Sequence, residues 1–287
     1  MQRRSFIGLA LAGGAAALLP RAIGTWREAG AVDLVAGPDH LSFDARGNAY
    51  RIDPVRNQLS RLDGANDWVR GGTGIREGEL NGPTALAFDA RQRIHVADAG
   101  NGRIQVFEKD GSVSHVIGRP GTGEGELALP RGLAFDDAGR LYVCDTLNHR
   151  IQIFDGTRPA GTIGAFGLGP SELNGPRSLA FAPDGLLHVV DAGNRRIQVF
   201  DTEGRWIDGY DGGEARLAMP GSIAFGPNGR AYVGDAAQGT VAVFSRGRPV
   251  DRFVPTDEAG HAVSPLHLAF DSQGRLRVAG PAAPSLS

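Results

Sequence analysis

A chain of 287 residues with 41% hydrophobic and 22% charged residues can bury a substantial core in a single domain. Its formal net charge of −2 supplies no bulk attraction for nucleic acid or for an anionic membrane surface, so no nucleic-acid partner is expected. The single cysteine, Cys144, excludes an internal disulfide, and the 43 glycines suit a turn-dense all-β chain.

In chain order, the first segment is MQRRSFIGLALAGGAAALLPRA, with Arg3-Arg4, a following Phe6 and an apolar run from Phe6 to Leu19 before the small residue Ala22. It reads as a twin-arginine signal peptide over residues 1–22, which predicts export in the folded state to a periplasmic or extracellular location. The apolar run is short for a membrane span, and no later stretch is long and apolar enough for one, so no stable span is expected after signal cleavage. The mature chain, 23–287, is expected to form one domain and to act as a monomer.

From there a unit recurs. Pro-x-x-Leu/Ile-Ala/Ser-Phe appears at Pro38, Pro83, Pro130, Pro176, Pro220 and Pro265, at steps of 44 to 47 residues. Each unit holds an apolar run, a polar turn, a second run usually closing on Asp, a loop, and a third run ending in Phe or Leu. A period of this length built from short strands, with no helical pattern, predicts a β-propeller; six units predict six four-stranded antiparallel blades. In the clearest copy, Leu133 to Phe135, Leu141 to Val143, Arg150 to Phe154 and the region of Thr162-Ile163 are the four strands. Runs apolar on both faces fit strands covered by neighbouring blades, and only the outermost strand should show a full face to water. Cys144 falls within the second run and reads as a buried thiol.

Between second and third strands, Asp-x-x-Asn-x-Arg-Ile occurs three times, at Asp98, Asn101, Arg103 and Ile104, at Asp145, Asn148, Arg150 and Ile151, and at Asp191, Asn194, Arg196 and Ile197. Such carboxylates and amides bond backbone N–H groups a few residues on, and the arginine can satisfy the carboxylate, so the triplet reads as a structural staple. With the glycine-rich connector Gly121 to Pro130, the pattern P-x-G-L-A-F-D, L-Y-V-x-D-x-x-N-x-R-I-Q-x-F resembles the NHL repeat. That resemblance covers nearly all of the mature chain and implies a six-bladed propeller, commonly a non-catalytic binding or scaffold domain.

The mouth of the channel, where connectors and Asp-x-x-Asn loops meet, is the expected binding face. There the informative positions are those at which the units differ. Directly after the key proline stand Asp39, Thr84, Arg131, Arg177, Gly221 and Leu266, and one residue further His40, Ala85, Gly132, Ser178, Ser222 and His267. Arg131 and Arg177, with Arg195 in a nearby loop and Asp39, form the candidate ligand site, suited to a carboxylate, a phosphate or an acidic group of a protein or peptide. His40 and His267, in units that a closed ring makes neighbours, can with Asp39 hold a divalent zinc or calcium ion. His95 and His188 take the second-strand position of Tyr142 and Tyr232 and read as packing between blades, whereas His115, His149 and His261 read as isolated surface residues. Two enzyme classes compete with the binding reading: a zinc-dependent enzyme resembling the peptidylglycine amidating lyases, which place histidine immediately after the proline where this chain has Asp39, Arg131 and Arg177, and a calcium-dependent lactonase or esterase. A basic, RNA-binding top face does not fit an exported chain of this charge.

The last unit supplies only two strands, Leu268 to Phe270 and Leu276 to Ala279. Aligning Gly30 on Gly111 without a gap places Trp26 on Phe107, Val32 on Val113 and Val35 on Val116, so 25–28 and 32–35 are expected to complete the sixth blade as its two outer strands. Deleting residues 23–36 should then leave an aggregating or unfolded chain by size-exclusion chromatography and circular dichroism; a soluble, folded monomer would refute closure by the N-terminal segment.

Overall fold

The computed structural model describes residues 33–36, 40–62, 64, 66–213, 216–257 and 260–281. They form five four-stranded antiparallel sheets: His40–Phe43 to Trp68–Gly71, Pro83–Phe88 to Val113–Ile117, Pro130–Phe135 to Arg158–Ile163, Pro176–Phe181 to Trp206–Tyr210, and Pro220–Phe225 to Arg248–Phe253. Each sheet follows chain order from the channel outward, and these are blades 1 to 5. The first strands of successive sheets pack in a closed cycle that includes His267–Phe270, which lies between those of blades 5 and 1. No α-helix occurs among the described residues; single 3-10 turns cover Ala99–Asn101, Thr146–Asn148 and Ala192–Asn194.

Burial follows the sequence pattern. The second strands of blades 2 to 5 are buried at all five positions, whereas the fourth strands Trp206–Tyr210 and Arg248–Phe253 are mostly exposed. Five apolar clusters lie between successive sheets rather than in one central core. Across every one of these interfaces a second-strand ring meets the phenylalanine ending the next blade's first strand: Tyr50 on Phe88, His95 on Phe135, Tyr142 on Phe181, His188 on Phe225 and Tyr232 on Phe270, at 4.9–5.1 Å between centroids and edge to face. The inter-blade role expected of His95 and His188 is therefore met. The remaining three histidines are less isolated than expected: His149 packs on Phe166 and its Nδ1 accepts from Gly175 N–H (3.0 Å), His261 pairs with Asp257 (3.2 Å), and His115 lies edge-on to His95. Cys144 is fully buried, and burial raises its thiol pKa far above the ordinary value.

The staple is denser than its sequence motif. Asp145 Oδ2 accepts from Asn148 Nδ2 (2.8 Å), Arg150 Nε (2.8 Å) and Gln152 Nε2 (3.1 Å), while Oδ1 accepts from Ala128 N–H (2.7 Å) in the connector. Asn148 and Arg150 also donate to the Gly121 and Gly123 carbonyls, so one carboxylate secures the whole glycine-rich connector to the blade. Gln152 continues the clamp through Gly125 N–H and the Glu126 carbonyl. Asp98 with Gln105, and Asp191 with Gln198, repeat the arrangement in blades 2 and 4.

Five four-stranded blades stand where six were expected. The sixth sheet has three strands: His267–Phe270 and Leu276–Gly280 are antiparallel, and Asp33–Ala36 pairs directly and in parallel with Leu276–Gly280. The N-terminal segment thus contributes to the last sheet, but as a third, parallel strand rather than a fourth, antiparallel one; 25–28 lie outside the described residues. Gly280 occupies the slot of Asp145, and a Cβ there would clash with the Ser264 carbonyl oxygen, so the sixth sheet cannot carry the staple aspartate without a backbone shift.

Replacing Asp145 by alanine orphans three side-chain donors and a backbone N–H in a fully buried setting, and should cost about 3–5 kcal/mol. A urea midpoint within error of the parent protein would contradict the staple.

Candidate functional site at the channel mouth

The key prolines end each connector and start the channel-lining strands, so the residues that follow them ring a cavity of about 430 Å³. Arg131 and Arg177 lie on one side of it, from the adjacent blades 3 and 4; His40 and His267 lie on the opposite side, from blade 1 and the sixth sheet. Further along the same strands Leu86, Leu133, Leu179, Ile223 and Leu268 line it. No carboxylate lines the cavity among the described residues.

Gly132 makes the cationic side possible. A Cβ there would meet Cys144 Sγ at 2.9 Å and Ser178 Cα at 2.9 Å, so only glycine lets the strands carrying Arg131 and Arg177 approach this closely. Neither guanidinium makes an ion pair among the described residues, and Arg131 Nε is buried without a hydrogen-bond partner. Burial, and then the like charge of Arg177, lowers the Arg131 pKa. Two unpaired cations held together in a pocket without acidic residues are electrostatically unfavourable until an anion enters.

On the far side, the His40 and His267 rings stack with 3.4 Å between centroids and 29° between planes. His267 Nε2 lies 2.9 Å from the Leu41 carbonyl and so carries its proton there, whereas His40 Nε2 faces Leu86 N–H at 3.5 Å and Ser42 Oγ at 3.4 Å. Burial lowers both pKa values, that of His267 to about 4; the neighbouring His267 lowers that of His40 further. A face-to-face stack turns the ring nitrogens outward to separate partners, so a divalent ion held by both would require the stack to open. Among the described residues no three His, Cys, Asp or Glu side chains cluster as a metal site.

Of the candidate residues, then, Arg131, Arg177, His40 and His267 share one cavity, and Asp39 lies outside the described residues. Arg195 is elsewhere. In left-handed conformation (φ 56°) it ends the 3-10 turn of blade 4 and lines a separate cavity of about 270 Å³ with Arg216 and Asp211. Ser178, Ser222 and Gly221 also line the channel cavity and were not picked out as candidates, although they stand in the same slots after the proline. Ser222 Oγ is buried without a partner. Gly221 is open: a Cβ there meets nothing nearer than 3.9 Å.

The closed ring of radial sheets around a channel, five of them four-stranded and antiparallel, defines a β-propeller. Residues 127–154, which carry one copy of the staple, match the NHL repeat. A 77-residue stretch is 38% identical to NHL repeat-containing protein 3 of Mus musculus, covering 25% of this chain and 22% of that protein, so the chain matches about a fifth of its curated relative. Among solved structures, the chain is similar to the Xanthomonas campestris protein XC5397, described as a gluconolactonase, with TM-score 0.64 and 19% identity over 87% of this chain and 85% of that one. It is also similar to a chain of a nidogen/laminin complex, with TM-score 0.59 and 23% identity over 84% and 83%. Likeness at these identities concerns the fold.

The histidine stack carries a pH signature. A His pKa depressed in the folded state means that the unfolded chain binds more protons between about pH 6.5 and 4, so stability is full above 6.5 and falls as pH drops through that window. His267→Gln, whose amide can still donate to the Leu41 carbonyl, should recover on the order of 1–3 kcal/mol of the stability lost between pH 7 and pH 4.5. Equal losses in parent and variant, read from urea midpoints, would contradict a neutral stack.

Proposed function

We propose that this protein is an exported, non-catalytic binding propeller that holds an anionic group of its ligand between Arg131 and Arg177 at the channel mouth. The observation that carries this reading is the pair of guanidiniums without acidic partners in a cavity without carboxylates. Arg131 is partly buried with its Nε unpartnered and Arg177 stands exposed beside it, so a carboxylate or phosphate seated between the two planar guanidiniums relieves the like-charge repulsion with charge-assisted hydrogen bonds. The apolar lining and the stacked, neutral imidazoles leave the rest of the cavity fit for the uncharged part of a ligand. Export rests on the Arg3-Arg4 signal sequence, which sends the folded monomer to the periplasm or beyond. NHL propellers commonly mediate protein interactions, which agrees with a binding role.

A metal-dependent lyase or hydrolase is the second reading. It is favoured by two imidazoles in the same cavity as the arginines and by the fold likeness to a protein described as a gluconolactonase. In that case zinc or calcium would bind at His40 and His267 with Asp39, after the stack opens.

Thermal shift distinguishes them. Glutarate or inorganic phosphate at about ten times Kd should raise the parent Tm by roughly 2–4 °C. Arg131→Met with Arg177→Met should remove the shift without lowering Tm in its absence, because the variant relieves like-charge repulsion. Gly221→Leu, which projects into the open cavity, should remove it too. A shift that survives the double variant contradicts the arginine site, and a shift given only by zinc or calcium and lost in His267→Gln supports the enzyme reading.

A further inference from the structure

Building on that reading, we infer that the occupant is a segment of another protein: a glutamate or aspartate side chain enters between Arg131 and Arg177 while its apolar neighbours lie on the rim of the mouth.

The argument starts from where exposed apolar groups sit. Thirteen large hydrophobic residues are exposed among the described residues, and eight of them fall in loops of the mouth face; the other five are in strands, and none is in the turns of the opposite face. A soluble propeller with no partner on its mouth has no reason to concentrate them there. Ile75 (77% exposed) and Leu168 (74%) occupy the same connector slot ahead of blades 2 and 4, where the connector ahead of blade 3 has Thr122.

These side chains are held out by a rigid frame. Leu147 sits inside the 3-10 turn whose ends, Asp145 and Asn148, belong to the staple. Phe166 packs one face on His149, 4.8 Å between centroids, and remains 67% exposed. The carbonyl of Leu168 accepts from Arg196 Nη1 at 2.8 Å. Presenting apolar groups on anchored loops keeps the ordering cost of binding low.

The apolar rim also joins the cationic cavity. Leu266, 44% exposed, lines that cavity, and Val55 directly follows Pro54, which lines it as well. A free small acid would fill the cavity and leave the rim wet. A peptide chain bearing one carboxylate and flanking apolar residues covers both, with the charge complementarity that the unpaired arginines require.

The test uses the full mature chain and two pools of N-acetylated, C-amidated heptapeptides. One pool has a central Glu, the other a central Gln, and both are randomised over Leu, Phe, Ile, Ser, Gly and Asn at the flanks; N-acetylglutamate amide is the free small acid. The Glu pool should enrich apolar flanks, and its best members should bind at least tenfold tighter than N-acetylglutamate amide. Phe166→Ser with Leu168→Ser should remove most of that gain while leaving N-acetylglutamate amide binding unchanged, and Leu147→Ser provides an independent rim variant should the double variant fold poorly. Arg131→Met with Arg177→Met should abolish both kinds of binding. If N-acetylglutamate amide binds through the arginines and no peptide exceeds it, the site reading stands and the protein-segment inference falls. Equal enrichment of the Gln pool also overturns the inference, and loss of all arginine-dependent binding overturns both.

Discussion

Each complete blade depends on a carboxylate taken fully out of water. Asp98, Asp145 and Asp191 show no exposed surface, and each is paid for locally by an arginine, an asparagine, a glutamine and a backbone N–H. Such an arrangement is tolerable only when every lone pair is occupied, and the three copies meet that condition in the same way. The three side-chain donors also reach across to connector carbonyls and the backbone N–H belongs to the connector, so the bonds that satisfy the charge also fix the loop. Blades 1 and 5 keep the aspartate but change its partners: Asp53 binds Arg56 and backbone N–H groups, and Asp235 accepts from Ala218, Met219 and Gln238 N–H.

Where the aspartate is missing, the blade is different. The sixth sheet ends its second strand on Gly280, and Arg277 takes the position of the packing aromatic and binds Asp271 at 2.8 Å. Its third strand comes from Asp33–Ala36 and runs parallel. Closure of the ring therefore rests on a junction built unlike the other five, with the His40–His267 stack at its channel end.

Much of this was legible because it repeats. A proline every 44 to 47 residues, an Asp-x-x-Asn-x-Arg motif and apolar runs report local geometry that each copy restates, and five of the six expected four-stranded blades, their strand order and the staple followed. What repetition could not show were the contacts between different slots. Gln105, Gln152 and Gln198 look like ordinary third-strand residues until the fold sets them beneath the connector. Arg195 looked like a companion of Arg131 and Arg177 because its loop is on the same face, yet its left-handed backbone directs it to another cavity. Placing His40 beside His267 followed from ring closure, but whether the rings would chelate or stack depends on ångström-scale rotation that spacing does not encode.

The site is thus made from departures from the repeat: two arginines in one slot after the proline and two histidines in the next, at opposite sides of one cavity. Its central claim is that the partly buried Arg131 guanidinium, whose Nε is enclosed without a hydrogen-bond partner, awaits an anion. The direct measurement is the Nε–H resonance of Arg131 in arginine-labelled protein, assigned by Arg131→Met and titrated with glutarate. A saturable shift with slowed solvent exchange is predicted; a resonance that does not move while other groups report glutarate binding would contradict the account.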